Sequence, residues 1–182
     1  MYSMYNDLQE ILYSKEQIAE RVAALAAVID EEYRDKNPVF VCILKGSTPF
    51  FADLIRAVTI PLQIDFMAIS SYGAGSSSSG QVRMNKDLDK SIENRHVIIV
   101  EDIMDSGNTL FYLKNMLTSR CPASIKICVL LDKEARREVD MKPDYKGFDI
   151  ADEFVVGYGL DYDEKYRNLP EIGILKRSIY EK

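Results

Sequence analysis

The segment that decides the fold runs from residue 97 to residue 110 and reads Val97-Ile98-Ile99-Val100-Glu101-Asp102-Ile103-Met104-Asp105-Ser106-Gly107-Asn108-Thr109-Leu110. Its opening β-branched run predicts a buried strand of a parallel sheet. Acidic residues, a small polar loop and the start of a helix follow directly. In an α/β fold this order places polar groups at the carboxyl edge of the sheet, where such folds bind ligands.

Working outward, apolar runs alternate with amphipathic segments, which predicts an α/β fold: a mostly parallel sheet of about five strands with helices on both faces. The predicted strands are Val39–Leu44, Leu62–Ile69, His96–Val100 and Ser124–Leu131, with shorter ones over Asp152–Tyr158 and Ile172–Leu175. The predicted helices follow a capping box at Ser14 and Gln17, begin near Pro49, and cover Thr109–Thr118. A length of 182 residues suits one domain.

Composition excludes several classes of protein. The net charge of −6 argues against non-specific binding of nucleic acid, which needs a basic face. No apolar run approaches the roughly 20 residues that span a bilayer, and the first residues lack the basic and apolar regions of a secretory signal. Three cysteines without framework spacing are typical of the reducing cytoplasm, which is the predicted location. The single histidine, His96, leaves zinc without a ligand set.

The small polar loop predicts a phosphate site. Ser106, Gly107, Asn108 and Thr109 stand at the N-terminus of the predicted helix, where backbone N–H groups, hydroxyls and the helix dipole favour an anion. Glu101 and Asp102 before them suit sugar hydroxyls or hydrated Mg²⁺. Ribose 5-phosphate satisfies both halves of the site. The alternative is that Asp105 and Ser106 only cap a helix.

The segment Ser70–Gly80 is rich in serine and glycine and cannot form a core. Two interpretations stay open: a plain flexible loop, and a lid over a reaction from which water must be excluded. The usual nucleotide motifs are absent, since the sequence has no Gly-x-x-x-x-Gly-Lys-Ser/Thr and no third glycine follows Gly73 and Gly75 at dinucleotide spacing.

These residues carry a family resemblance. The segment 97–110 resembles the phosphoribosyl-pyrophosphate motif of the type I phosphoribosyltransferases. Four further segments resemble, in the same order, motifs of the hypoxanthine–guanine phosphoribosyltransferases: Leu44–Ser47 the pyrophosphate loop, Ser70–Gly73 the start of a mobile lid, Asp132–Arg137 the base-reading loop, and Phe154–Tyr162 with Tyr166-Arg167 the C-terminal signature. Departures are Asn108, Glu134 after Lys133, and a lid whose tail is all serine. They concern lid kinetics and base preference rather than the reaction.

The resemblance implies the type I phosphoribosyltransferase fold, with a core over roughly residues 35–150 and a small hood built from the N-terminal segment and residues 150–182. It also implies Mg²⁺-dependent transfer of a 5-phosphoribosyl group from 5-phosphoribosyl 1-pyrophosphate to a 6-oxopurine, hypoxanthine or guanine. A homo-oligomer, dimer or tetramer, is expected, with no nucleic-acid or membrane partner.

The resemblance assigns roles to particular residues. Asp105 is the general base, which takes the N7 proton of the purine. The ribose 5-phosphate is bound by Glu101, Asp102, Asp105, Ser106, Gly107, Asn108 and Thr109, and the pyrophosphate by Lys45, Gly46, Ser71, Tyr72 and Arg167. The purine contacts Lys133, Phe154, Val155 and Asp161. Asp161 is the expected direct ligand of Mg²⁺, with Glu101 and Asp102 acting through water.

Other interpretations stay open at this point. Arg167 could form only a surface ion pair, Phe154 could be a core aromatic, and Lys133 could be a solvated lysine in a charged run. A second enzyme hypothesis keeps the transfer but changes the base to xanthine or a pyrimidine. A third is a regulator that binds phosphoribosyl pyrophosphate without catalysis, which the acidic chain and the joint presence of Asp105 and Lys133 disfavour.

Overall fold

The computed structural model describes residues 3–71 and 82–181. After a 3-10 turn at Met4–Asp7, the strands are β1 (Leu8–Tyr13), β2 (Val39–Leu44), β3 (Gln63–Ser71), β4 (Val82–Lys86), β5 (His96–Met104), β6 (Ser124–Asp132), β7 (Tyr145–Asp149), β8 (Val155–Val156) and β9 (Ile172–Leu175). The helices are α1 (Lys15–Glu32), α2 (Thr48–Ala57), α3 (Asn108–Thr118) and α4 (Arg177–Tyr180), with a second 3-10 turn at Glu134–Arg136.

The larger sheet has the strand order β4-β3-β2-β5-β6-β7 within the described residues. Every pair is parallel except β3 with β4. The predicted α/β class and the mostly parallel central sheet of about five strands are therefore confirmed, with an antiparallel strand added at one edge. The short strands near residues 155 and 172 belong instead to a second sheet, of order β1-β9-β8.

Alternation along the buried strands explains why helices cover both faces. One face carries Phe40, Cys42, Ile98, Val100, Cys128 and Leu130, which pack with α1 and α2. The opposite face carries Val39, Val41, Ile43, Val97, Ile99, Ile127 and Val129, which pack with Leu110, Leu113 and Leu117 of α3. Cys42 and Cys128 are free and buried.

Helix α1 begins where the sequence predicts it. The Ser14 hydroxyl accepts the backbone N–H of Gln17, and the Gln17 side chain accepts the N–H of Ser14, so the capping box is complete. The helix buries Ile18, Val22, Leu25 and Ile29 at helical spacing. It ends at Glu32, five residues before Asn37-Pro38.

The second sheet joins the two ends of the described chain. Strand β1 pairs antiparallel with β9, and β9 pairs with β8. A small separate cluster of Leu8, Val156, Tyr166, Leu169 and Leu175 lies under it. This sheet occupies the chain segments from which the hood is predicted, and the domain boundaries at residues 35 and 150 stay a prediction.

One correction concerns the deciding segment. The sequence predicts that the strand ends at Val100 and that Glu101 and Asp102 follow it, whereas β5 continues to Met104. The acidic pair therefore lies inside a strand. Strand β6 extends alongside it and pairs with β5 as far as Asp132 opposite Met104, whereas β2 pairs with β5 only as far as Val100. The pairing with β6 keeps the backbone extended through the two acids.

Candidate active site

Three loops meet at the carboxyl edge of the larger sheet. Strands β2, β5 and β6 are adjacent and parallel, so Lys45–Ser47, Asp105–Gly107 and the loop beginning at Lys133 all leave the sheet on the same side. This edge is where open α/β sheets bind ligands. Neighbouring strands thus bring together segments that are almost 90 residues apart in the chain.

The acidic pair within β5 is held in an apolar setting. Burial, together with the neighbouring Asp102, raises the pKa of Glu101 well above its usual value. Burial also raises the pKa of Asp102 to about 6, against the opposing effect of the Ile103 N–H and the charge of Arg167. The Ile103 N–H donates to Asp102 Oδ1 at 2.7 Å. Although Glu101 is only half-buried as a residue, its Oε2 is buried and lacks a hydrogen-bond partner. Such an acid pair suits sugar hydroxyls or a cation.

The loop before α3 forms a small cavity of about 130 Å³, lined by Glu101, Ile103, Met104, Asp105, Ser106, Gly107, Thr109 and Leu110. Gly107 is the N-cap of α3 and has φ of +82°, a left-handed conformation that glycine adopts without steric cost. Gly107 has no side chain with which to cap the helix, but the Ser106 hydroxyl accepts the N–H of Asn108 at 3.4 Å, so the capping interpretation stays open. The start of α3 borders this cavity, where its N–H groups can receive an anion.

Asn108 differs from its neighbours in this loop. Its side-chain amide donates to Glu138 Oε2 at 2.5 Å, and the residue does not line the cavity. Only its backbone can contribute to the predicted phosphate site while that bond is made.

Asp105 meets two arginines of the loop after β6. Its Oδ1 lies 3.2 Å from Arg136 Nε but makes no hydrogen bond of good geometry there, although the atom is buried. Its backbone carbonyl accepts Arg137 Nη1 at 2.7 Å, and Arg137 also binds the Asp132 carboxylate. The loop after β6 is thereby held against the backbone of Asp105.

Lys133 lies in the same loop and is buried, with 7% of its surface exposed. Asp152 is its ion-pair partner at 3.9 Å, and that carboxylate also lies 3.2 Å from Arg136. The alternative of a solvated lysine is wrong, because the side chain is almost entirely covered. A buried ammonium group needs acceptors, which a ligand at this site would supply.

Close backbone packing joins the first loop to the C-terminal segment. A side chain on Gly46 would place Cβ 1.8 Å from Asp102 Oδ2, and one on Gly159 would place Cβ 1.9 Å from the carbonyl oxygen of Gly46. The N–H of Gly159 donates to the carbonyl of Arg167 at 2.9 Å. Glycine at 46 and 159 therefore allows three separate chain segments to touch at the acidic pair.

Arg167 and Lys45 share a carboxylate that sequence analysis did not identify. Arg167 Nη1 donates to the Gly159 carbonyl at 2.8 Å, and Nη2 lies 2.9 Å from Asp161 Oδ1. Glu164 lies 3.4 Å from Arg167 Nη2 and 3.2 Å from Lys45 Nζ. The Arg167 Nε atom is buried without a partner. The ion pair that the sequence leaves open for Arg167 is present, and one of its donors remains available.

Phe154 is not part of the buried core, since 36% of its surface is exposed. Its ring stacks on that of Tyr180 with centroids 4.8 Å apart and meets Tyr162 edge-on at 5.6 Å. Val155 is buried and pairs with Ile174 in the second sheet. An exposed, supported aromatic ring is a surface on which a planar base can stack.

Ser71 ends strand β3, and Tyr72 lies outside the described residues, as does most of the predicted lid Ser71–Gly80. Sequence analysis also missed Asp152, Glu164 and Tyr180. Nothing in their local patterns marks them, because each acts through a partner that folding brings from elsewhere.

For a metal ion, residues 3–71 and 82–181 contain no group of three or more His, Cys, Asp or Glu side chains arranged to hold one. Mg²⁺ nevertheless binds through only one or two carboxylates when substrate phosphates and water complete its shell. The unpartnered Oε2 of Glu101 and the raised pKa values of both acids fit a nearby cation. Across the same residues, no helix has the length and apolar character needed to cross a bilayer.

Comparison with known protein families first shows the general class to which the chain belongs. The family model for the phosphoribosyl transferase domain matches residues 9–163. The fold, the carboxyl-edge site and this match together define a phosphoribosyltransferase.

Individual relatives then narrow the class. The chain is 50% identical over 178 residues to the hypoxanthine-guanine phosphoribosyltransferase of Bacillus subtilis (98% of this chain, 99% of the relative). It is 49% identical over 176 residues to that of Streptococcus thermophilus (97% and 98%). A crystal structure of a hypoxanthine phosphoribosyltransferase from Staphylococcus aureus superposes with a TM-score of 0.96 at 49% identity and covers both chains fully. The chain belongs to the hypoxanthine–guanine phosphoribosyltransferase family.

Proposed function

We propose that the protein transfers the 5-phosphoribosyl group of 5-phosphoribosyl 1-pyrophosphate to hypoxanthine or guanine, which gives IMP or GMP and pyrophosphate, a reaction of purine salvage. The observation that carries this proposal is one small cavity that joins the acidic pair Glu101 and Asp102, through Glu101, to the helix N-terminus at Gly107. A sugar phosphate matches both halves. The relatives' names supply the base.

The ribose 5-phosphate fits the cavity before α3. Ser106, Gly107, Asn108 and Thr109 offer backbone N–H groups and two hydroxyls to the phosphate, aided by the dipole of α3. Glu101 and Asp102 accept hydrogen bonds from the ribose hydroxyls. The raised pKa values of both carboxyls are consistent with groups that gain partners only when a ligand is present.

The pyrophosphate is assigned to Lys45, Gly46 and Arg167, with Ser71 and Tyr72 closing over it. Negative charge develops on the leaving pyrophosphate, so preorganised donors at this point favour its departure. The unpartnered Nε of Arg167 supports the assignment. The lid Ser71–Gly80 is expected to exclude water from the reacting ribose.

Asp161, with Glu101 and Asp102 through water, would hold Mg²⁺. When bound, the ion would neutralise charge on the pyrophosphate. Asp161 is ready for this role because its side chain is fixed by Arg167 and by the N–H of Glu164, which lies 2.9 Å from its Oδ2.

The purine is assigned to the loop after β6 and to β8. Asp105 takes the proton from N7 while N9 attacks the ribose, and the guanidinium of Arg136 lies 3.2 Å from its Oδ1. Lys133 donates to the oxygen at C6, Phe154 stacks on the ring, Val155 contributes backbone groups, and Asp161 flanks the base.

We further expect a cytoplasmic homo-oligomer, dimer or tetramer, without a nucleic-acid or membrane partner. The acidic net charge and the free cysteines support this expectation. The regulator hypothesis is disfavoured because the chain is acidic and has both Asp105 and Lys133, which simple binding of the sugar phosphate does not require.

One assay tests the proposal. The purified protein is incubated with 5-phosphoribosyl 1-pyrophosphate and Mg²⁺, each nucleobase is offered singly, and the nucleotide formed is measured. We expect product with hypoxanthine and guanine. Product with xanthine or a pyrimidine alone would establish the second enzyme hypothesis, and no product with any base would refute the transfer.

A further inference from the structure

Glu164 lies on both cations that are assigned to the pyrophosphate. Its two carboxylate oxygens accept hydrogen bonds from Lys45 Nζ at 3.2 and 3.3 Å. Its Oε2 also accepts from Arg167 Nη2 at 3.4 Å. The pKa of Glu164 is lowered, first by the hydrogen bond from Lys45. Glu164 thus pairs with a lysine from the loop after β2 and with an arginine from its own C-terminal segment. Lys45 and Glu164 are 119 residues apart in the chain.

The backbone turn that carries Glu164 is built to present it. Asp163 and Glu164 have φ of +52° and +59°, a left-handed conformation that is unfavourable for residues with a Cβ. The N–H of Glu164 donates to Asp161 Oδ2 at 2.9 Å. Tyr162 and Lys165 close the turn through two backbone hydrogen bonds of 3.3 and 3.0 Å. The position of the carboxylate is therefore set by the turn and not only by its long side chain.

A carboxylate and a phosphate compete for the same donors. Both present oxygens with negative charge to lysine and arginine, and the donors that Glu164 occupies are those an entering pyrophosphate group would use. That group must either break these contacts or share the cations with a like charge. Either outcome weakens its binding relative to a site in which Lys45 and Arg167 are unoccupied.

We propose that Glu164 is an internal competitor for the pyrophosphate group, which lowers the affinity of the enzyme for 5-phosphoribosyl 1-pyrophosphate and for product pyrophosphate. The proposal rests on the proposed function, because it takes Lys45 and Arg167 as the pyrophosphate ligands. Glu164 acts through these two residues and sets how tightly they hold the leaving group.

Exposure limits the size of the effect. The side chains of Lys45 and Glu164 are 70% and 66% exposed, so water and salt screen their attraction. Since exposed ion pairs contribute little individually, removal of the competing charge should tighten pyrophosphate binding about two- to fivefold.

Glu164→Gln tests the proposal, because glutamine keeps the length of the side chain and removes its charge. We expect KM for 5-phosphoribosyl 1-pyrophosphate and the inhibition constant of pyrophosphate, both with Mg²⁺, to fall about two- to fivefold, with KM for hypoxanthine and the Tm unchanged. The ratio of the wild-type to the variant value of each constant should approach one at high salt. Structural damage alone would not make the variant bind pyrophosphate more tightly.

Asp163→Asn is the matched control. It removes the same charge from the adjacent position, but Asp163 pairs with Lys165 at 3.4 Å rather than with the ligand cations. We expect no tightening. Equal tightening in both variants would show a general effect of net charge and overturn the role of Glu164, as would an unchanged or raised KM in Glu164→Gln.

Lys45→Gln tests the pyrophosphate subsite separately from the role of Glu164. It should weaken inhibition by pyrophosphate if Lys45 binds that group. No change in Lys45→Gln would refute the assigned subsite, and the proposal for Glu164 with it. If pyrophosphate inhibits Lys45→Gln more weakly than wild type but inhibits Glu164→Gln equally, only the proposed role of Glu164 is refuted.

Discussion

The hydroxyl of Tyr166 donates a 2.7 Å hydrogen bond to Oδ2 of Asp7, which stands 159 residues earlier in the chain. Both residues are buried. Burial first, and the Asp7 carboxylate next, raise the pKa of Tyr166 to about 12. The bond ties the 3-10 turn at the start of the described chain to the residue next to Arg167, so it connects that turn to the segment proposed to bind pyrophosphate.

Tyr166→Phe should lower the free energy of unfolding by about 1–3 kcal/mol, because it leaves a buried carboxylate without its donor. The measurement is thermal or denaturant unfolding. Tyr5→Phe is the control: Tyr5, in the same 3-10 turn as Asp7, donates a similar 2.8 Å bond to Glu171, but Tyr5 is 44% exposed, so water can replace the lost partner. An equal decrease in the free energy of unfolding in both variants would show that burial does not strengthen the contribution of the Tyr166–Asp7 bond to stability.

Asp105→Asn should lower kcat by about 10²–10⁴, because asparagine keeps the size of the side chain but cannot accept the proton. Binding of 5-phosphoribosyl 1-pyrophosphate should persist, which calorimetry can check. Asp140→Asn removes an exposed acid from the loop after β6 and should leave kcat unchanged. Turnover near the wild-type value in Asp105→Asn would exclude it as the base.

Lys133→Gln should narrow the preference for hypoxanthine over adenine. Lysine only donates, so it suits the C6 oxygen of hypoxanthine and opposes the amino group of adenine, whereas glutamine can donate and accept. A site built around a polar partner can reject the wrong base by roughly 10⁴. The measurement is the ratio of kcat/KM for the two bases. Lys142→Gln, an exposed lysine paired with Glu134, is the control and should keep the wild-type ratio. An unchanged ratio in Lys133→Gln would exclude it from reading the base.

Asp102→Asn should make the ligand-free protein more stable at neutral pH while it impairs activity. The folded-state pKa of Asp102, about 6, lies above its ordinary 3.8, so the folded protein binds the proton more tightly than the unfolded chain. Stability is therefore lost as pH rises from about 4 through 6, at a cost of about 3 kcal/mol at pH 7.5. Asparagine avoids this cost.

The check for Asp102→Asn is Tm against pH without Mg²⁺ or substrate. The variant should melt above wild type at pH 7.5, and the difference should vanish as pH approaches 4. A variant that melts below wild type at pH 7.5 would show that the ionised carboxylate stabilises the fold instead.

The parts of the fold that could be predicted from the sequence are those that depend on patterns of residues close together in the chain. Strand, acids, polar loop and helix follow within the 14 residues from Val97 to Leu110, and the alternation of apolar side chains in β2, β5 and β6 already indicates two covered faces. The capping box at Ser14 likewise involves residues three positions apart.

The parts that sequence missed depend on distant partners. Strands β1 and β7 carry polar residues at several positions and gain stability from pairing with β9 and β6, which no local pattern reveals. Glu164 looks like any exposed acid until folding brings Lys45 beside it. Asp152 is similar, since its role follows from Arg136 and Lys133. Ion pairs of this kind leave no periodic signature.

The pairing of β1 with β9 has a consequence for synthesis on the ribosome. Translation delivers Leu8–Tyr13 first and Ile172–Leu175 more than 150 residues later, so the emerging first strand has no partner while the larger sheet can already assemble. Its unpaired backbone is open to association with other chains during this interval. We expect the nascent enzyme to become competent only when the last strand leaves the exit tunnel, and slow codons ahead of that point would prolong the vulnerable stage.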